Sequence, residues 1–224
     1  MQCPFFVPMQ YAILIDAGFL KHKLGSALSP MGLNNVRGLI ATLRNHPELK
    51  DHHLHRIYYY DAAPYLGKQA KPLTSQTIDF SESSTAVRQS ALLAEIKKEP
   101  FFAVRLGELS FEGWQLKPRL LKDSTPPISI TDTDIIPKIS QKGVDMRIGM
   151  DMAALTLKHI AQILVLVTGD SDFVPAMKFA RREGAAIYMV PLGHHIKDSV
   201  QEHCDLVLNI TPQDLDASCH LQAR

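Results

Sequence analysis

The chain has 224 residues, 46% hydrophobic and 21% charged, an ordinary balance for a globular protein and enough to bury a core without disulfide or metal staples. Lys and Arg number 24 against 23 Asp and Glu, a formal net charge of +1, so any affinity for nucleic acid has to come from a local patch. Cys3, Cys204 and Cys219 are far apart and odd in number, which fits neither a disulfide framework nor a zinc site and points to a reducing compartment.

No apolar run approaches membrane-spanning length. Phe5-Phe6-Val7 is too short, and lacks preceding basic residues, for a signal peptide. A cytoplasmic protein without membrane association is expected, with a homodimer allowed.

In chain order, residues 11–15 (Tyr-Ala-Ile-Leu-Ile) read as a first buried strand that gives out at Asp16-Ala17-Gly18. Val36, Leu39, Ile40 and Leu43 recur at helical spacing before Pro47. Residues 57–60 (Ile-Tyr-Tyr-Tyr) form a second strand, and it too ends on an acid, Asp61. Residues 66–80 show no period and read as loop.

Ser83 or Ser84 caps a helix reaching about Lys98, with Val87, Leu92 and Ile96 inside it and Pro100 stopping it. Residues 101–106 are a third strand, closed by Gly107. Residues 109–121, with Gly113 in the middle, suggest a hairpin-like extension carrying Trp114, Lys117, Arg119 and, just beyond, Lys122. The stretch 124–141 holds Pro126, Pro127 and Pro137 and few large apolar residues, so the span of about 109–141 is read as a surface excursion.

Lys142-Gly143-Val144-Asp145 opens a helix to about Ile160, with an apolar stripe of Ile148, Met152, Ala154 and Leu155. Asp151 points into that stripe, where a carboxylate is costly unless paired, hydrogen-bonded or near a metal. The β-branched run at residues 163–167 reads as a fully buried strand, broken at Gly169 before a helix from Asp172 to Glu183 with Gly184 past its end. A strand at 186–190, a helix through Ile196, Val200 and His203, a strand at 206–210 and a polar tail after Pro212 complete the chain. Strands and helices alternate throughout, which predicts one α/β domain over residues 1–224, a parallel sheet with helices on both faces and a core of about 11–210.

In such sheets ligands bind at the carboxyl ends of the strands. Asp16, Asp61 and Asp170 all stand at strand ends and are expected at one crevice, with Asp172 one residue beyond Ser171. Neighbouring acids repel unless a cation lies between them, and a hard divalent ion takes oxygen ligands. Asp172 and Asp145 could equally be helix caps, and Asp16 a turn residue. The histidines at His52-His53-His55 and His194-His195 lack partners at metal-ligand spacing and are read as surface or cap residues. No Ser-His-Asp or Cys-His arrangement suggests itself.

Three motifs in this order, Leu14-Ile15-Asp16-Ala17-Gly18-Phe19-Leu20, then Lys142-Gly143-Val144-Asp145 with Asp151, then Thr168-Gly169-Asp170-Ser171-Asp172-Phe173-Val174-Pro175, resemble the NYN domain of the PIN-like nucleases. The likeness extends from Tyr11 to Ile210. It implies a Rossmann-like three-layer fold and an acidic cluster holding Mg²⁺ or Mn²⁺ for RNA cleavage. By motif matching, Asp16, Asp145, Asp170 and Asp172 carry over as catalytic, metal-holding acids, with Asp61, Asp151 and Thr168 in support. Lys142, Arg147, Lys117, Arg119 and Lys122 would supply phosphate contacts.

Many relatives have Asn three residues after the first acid, where this chain has Phe19. That departure leaves a second reading open, an RNA-binding or adaptor module that does not cut. A haloacid-dehalogenase-type phosphatase is disfavoured, since it needs a second acid at the position of Gly18.

Overall fold

The computed structural model describes residues 7–26, 28–123 and 129–215. Cys3, Cys219, Phe5, Phe6, Pro126, Pro127 and the side chain of Lys122 lie outside them. The chain runs β1 (Gln10–Asp16), α1 (Ala17–Leu24), α2 (Leu33–Asn45), β2 (His53–Ala63), β3 (Lys68–Ala70), β4 (Thr77–Asp79), α3 (Ser84–Ile96), β5 (Phe102–Leu116) and α4 (Pro118–Asp123). It continues as β6 (Ile135–Lys142), α5 (Val144–Leu157), β7 (Ile163–Val167), α6 (Val174–Arg182), β8 (Ala186–Met189), α7 (Asp198–Gln201) and β9 (Leu206–Val207).

The main sheet has seven strands in the order β6-β5-β2-β1-β7-β8-β9, and every neighbouring pair is parallel except β5–β6. β1 and β7 occupy the middle, with Tyr11 opposite Ile163 and Ile15 opposite Val167. Every residue of β7 is buried, as a β-branched run covered on both faces requires.

Alternation along β1 divides the core in two. Tyr11, Ile13 and Ile15 pack with Leu20, Leu39 and Leu93 from α1, α2 and α3. Ala12 and Leu14 pack with Ile148, Met152 and Met177 from α5 and α6 on the other face. The α/β three-layer architecture expected from the sequence is the one observed.

The order of the strands locates the site. From β1 the chain moves outward through β2 and β5, then returns to the other side of β1 with β7 and goes on to β8 and β9. The winding therefore reverses between β1 and β7, and the helices leaving those two strands go to opposite faces. Such a switch point opens a crevice at the carboxyl ends of the two strands.

Several segments differ from the sequence expectation. Helix α1 follows β1 directly where only a turn was expected, because the Asp16 side chain caps it by accepting from the Phe19 N–H at 3.2 Å. The stretch 66–80 is no bare loop: β3 and β4 form a small antiparallel hairpin. β5 does not close at Gly107 but runs on to Leu116, and the last part of the 109–141 stretch is β6, which pairs back on it from Lys142 opposite Glu108 to Ile135 opposite Leu116.

Two residues hid that ribbon. Pro137 is tolerated because β6 is an edge strand, and Gly113, with φ +106°, sits where the register shifts between Phe111 and Trp114. The β5–β6 ribbon projects beyond the carboxyl edge of β2 and is tied to the small hairpin by aromatic packing. Tyr65 stands 5.4 Å from Phe80 and 6.0 Å from Phe111 between ring centres, and the Trp114 indole donates to the Ala70 carbonyl at 3.0 Å.

Val87 is 56% exposed although helical spacing placed it inside, and the last helix shrinks to α7. The final strand is only β9, but the chain stays anchored beyond it: Leu215 is buried and packs against Gly38 of α2. No helix among the described residues is long and apolar enough to cross a membrane.

Candidate active site

The crevice between β1 and β7 is built around a hydroxyl. Thr168 follows β7 and is fully buried, yet its Oγ1 donates to Asp16 Oδ2 at 3.3 Å and accepts from the Asp170 N–H at 3.2 Å. One side chain thus ties the carboxyl end of β1 to the loop after β7.

Asp16 has its second oxygen occupied by the Phe19 N–H, so both oxygens are held in place. Asp170, not Asp172, is the cap of the turn that follows: its Oδ1 accepts from the Asp172 N–H at 2.9 Å, across the 3₁₀ turn Ser171–Phe173 that leads into α6. The capping role expected of Asp172 falls two residues earlier, and Asp172 is left exposed. Asp145 is not the cap of α5 either. Gly143, at φ +75°, takes that place, and Asp145 sits exposed in the first turn.

Four acids are electrostatically coupled here. Burial raises the Asp16 carboxyl above its ordinary range; hydrogen bonds from Phe19 and Thr168 oppose this and the charge of Asp145 adds to it. Partial burial raises Asp145 too, and the charges of Asp170 and Asp172 push the same way. Asp145 therefore feels acids from both central strand ends. Among the described residues no group of three or more His, Cys, Asp or Glu side chains stands close enough together to hold an ion as it is. The donor set is nevertheless all hard oxygen, and its mutual repulsion is the condition that a divalent cation relieves.

Asp61 stands at the same edge but on the other face. Its side chain belongs to the Ile57–Tyr59 side of β2, toward α1 and α3, where Lys21 Nζ donates to both oxygens at 2.8 and 2.6 Å and the Ala62 N–H also donates. Alternation separates it from Asp16, which pairs with Tyr60 and falls in step with Ala12 and Leu14 on the face toward α5. Asp61 is thus 2% exposed and neutralised by a cation of its own.

Lys21→Met should cost about 2 kcal/mol, since it strands a buried carboxylate that keeps only its lesser hydrogen bonds. Urea melts check this, and Lys21→Met with Asp61→Asn should recover most of the loss; no loss in the single variant would show that the pair contributes nothing.

Asp151 is likewise engaged, accepting from the Tyr60 hydroxyl at 2.9 Å and from Arg105 Nε at 3.1 Å. The sequence argument that it must be paired is answered by these two groups.

Among the cations, Arg147 donates to the Gly143 carbonyl at 2.8 Å, and Lys142 lies 3.5 Å from Glu112, which Lys138 also approaches at 3.2 Å. The charges of Lys117 and Arg119 act on Asp134 at the far end of the ribbon.

Four further residues stand at the mouth: Phe19 and His194, which the sequence brought up in other connections, and Lys23 and Lys197, which it did not bring up at all. His194 and Phe19 meet edge to face at 6.0 Å, Lys23 Nζ lies 3.2 Å from His194 Nδ1, and Lys197 Nζ donates to Ser171 Oγ at 3.0 Å. His194 was read as a surface residue because it lacked metal-ligand partners, a test blind to stacking.

The NYN domain family model matches residues 11–211. Among solved structures, a Vibrio parahaemolyticus protein of unknown function is similar at 16% identity and a TM-score of 0.50, over 93% of this chain and 95% of that one, a likeness of fold alone. A chain from a structure described as the structural basis for the mechanism and regulation of Sir2 enzymes reaches 10% identity and a TM-score of 0.36, over 97% of this chain and 94% of that one, and carries no argument. No curated protein matches the chain.

Proposed function

The chain belongs to the NYN domain family of the PIN-like nuclease superfamily, and from that premise we propose that it is a divalent-metal-dependent endoribonuclease. The observation that carries this reading is the Thr168 hydroxyl that ties Asp16 to the Asp170 loop at the edge where the winding of the sheet reverses, with the charges of Asp145 and Asp172 beside them. These four would hold Mg²⁺ or Mn²⁺. A bound ion of this kind offsets charge on a phosphodiester and makes water nucleophilic near neutral pH.

The rest falls to the chain's own residues. Thr168 and the Phe19 N–H fix both oxygens of Asp16, so that its carboxylate needs little reorganisation to accept a cation. The Asp172 N–H orients Asp170 in the same way. Asp145 enters from the first turn of α5, where the helix dipole favours an anion. Lys142 at the end of β6, Arg147 on α5, Lys117 just past β5 and Arg119 on α4 are the phosphate contacts we assign, with Asp61 and Asp151 as supporting acids that keep α1, α3 and α5 in place.

The test is a gel assay on end-labelled RNA in Mn²⁺, Mg²⁺ or chelator. Fragments are expected only with a divalent ion. Retardation of intact RNA under all three conditions would overturn the nuclease reading in favour of a non-catalytic RNA-binding module.

A further inference from the structure

Near the amino end of β5 lies a cavity that cleavage at the acids does not use. It measures about 640 Å³ and opens between α2, the turn that enters β5, and Ile57 of β2. That volume suits a small ligand. None of the residues lining it belongs to the candidate active site.

Phe101 marks the cavity. Its backbone is left-handed, at φ +67°, a region that is costly for a bulky residue and that Gly or Asn enters more cheaply. The turn uses this conformation to bring the Phe101 carbonyl to the Ile57 N–H, 2.9 Å away, just before β5 begins. It has no such use for the ring. Among the described residues Ser75, His159 and Leu192 also have positive φ, and the large apolar one of these, Leu192, is buried. Phe101 is 53% exposed, so burial does little to offset its strain. A strained residue that the core does not repay points to a role in binding.

The charges around the ring do not balance. Arg37 and Glu99 form one wall and cancel each other, with Arg37 donating to the two carboxylate oxygens at 3.1 and 2.6 Å. Arg44 and Lys50 line the same cavity, and neither enters an ion pair among the described residues. The ends of α2 and α3 each carry about half a negative charge, and two whole cations exceed their sum. Asn45, the last residue of α2, adds an amide that can both donate and accept.

An exposed ring, an amide and two uncompensated cations around one cavity match a planar ligand that stacks, hydrogen-bonds along its edge and carries negative charge. Two cations suit a terminal phosphate, which bears about −1.5 to −2 charges at neutral pH, better than the single charge of a phosphate inside a strand. We propose that this cavity is a second ligand site and that it takes a free nucleoside monophosphate, with the base on Phe101, the base edge on Asn45 and the phosphate between Arg44 and Lys50. The site stands independently of the reaction at the acids.

Calorimetric titration of the full-length protein with adenosine monophosphate, adenosine and inorganic phosphate, all in chelator, tests this. Adenosine and phosphate should each bind at least about tenfold more weakly than the monophosphate, since each lacks one half of the contacts. Phe101→Gly should weaken monophosphate binding about tenfold, toward the low end of the loss for one stacked base, and leave phosphate binding unchanged. It should also melt close to the parent, because relief of the positive φ offsets the greater freedom of glycine in the unfolded chain. Phe101→Trp should bind like the parent. Lys50→Ala should weaken the monophosphate and phosphate alike and leave adenosine unaffected. Asp170→Asn should bind the monophosphate as the parent does.

No monophosphate binding by the parent, or undiminished binding by Phe101→Gly, would overturn the proposal. Loss of binding in Asp170→Asn would place the ligand in the crevice instead, and a Phe101→Gly protein melting far below the parent would make the ring structural; either result sinks the second site. Excess single-stranded RNA should leave the monophosphate bound. Displacement by RNA would make the cavity a stretch of an RNA path and overturn the free-ligand reading. Because chelator stops metal-dependent cleavage, none of these results bears on the nuclease reading.

Discussion

Asp170→Asn is expected to lower divalent-dependent cleavage of RNA by more than about a hundredfold. Groups that merely orient a metal ligand cost up to about that factor when removed, so a direct ligand should cost more. Asn keeps the shape and loses the charge. It is also as good a cap as Asp, so the acceptor for the Asp172 N–H survives and the turn into α6 should fold as before. Asp16→Asn should behave alike, since the amide oxygen can still accept from Phe19 or Thr168.

Two further variants separate positioning from ligation. Thr168→Val removes the hydroxyl shared by Asp16 and Asp170 and should cost between tenfold and a hundredfold, as an orienting group does. Asp61→Asn alters the face across the sheet and should leave the cleavage rate near that of the parent. Initial rates on labelled RNA, with circular dichroism on each variant, decide the matter. Parent-like cleavage by both Asp16→Asn and Asp170→Asn would place the activity elsewhere.

The central strands and the acids at their ends were legible because one physical rule writes both. A strand buried on two faces must be apolar throughout, so residues 11–15 and 163–167 stand out, and the first polar residue after each marks the edge. What periodicity could not deliver is which face a residue takes. Asp61 reads as the acid that ends its strand just as Asp16 ends β1, yet it is Tyr60 that pairs with Asp16, and Asp61, one residue further along β2, turns to α1 and Lys21. The ribbon was lost for a related reason. An edge strand exposed on one side tolerates Pro137, and a strand that passes through Gly107 and Gly113 shows the turn residues by which loops are recognised. The ring contact of Phe19 with His194 joins residues 175 positions apart, and no local pattern reports such a pair.

Mn²⁺ should raise the melting temperature of the parent, and the sign of the metal-free baseline tells why. Asp16 and Asp145 both have folded-state carboxyls raised above the ordinary value of 3.8, so ionising them costs folding energy. That cost is absent below the unfolded pKa and is incurred as pH rises through the window between it and the raised folded values. The contribution of these two groups to metal-free stability is therefore greatest in acid and falls toward neutrality, opposite to a carboxylate whose pKa is depressed. Asp170→Asn removes one of the charges that raise Asp145, so without metal the variant should be as stable as the parent or more so. With metal the order reverses. A ligand that binds only the folded state adds about 2.7 kcal/mol at a hundredfold excess over its Kd and about 4.1 kcal/mol at a thousandfold, and the variant, short of one ligand, should gain much less. Thermal melts of both proteins in chelator and in millimolar Mn²⁺, at acidic and neutral pH, read all of these signs together. The metal-dependent shift should shrink in acid, where protons compete for the same oxygens. A parent that does not shift, or a variant that shifts equally, would mean that these acids hold no ion and that their repulsion serves some other end.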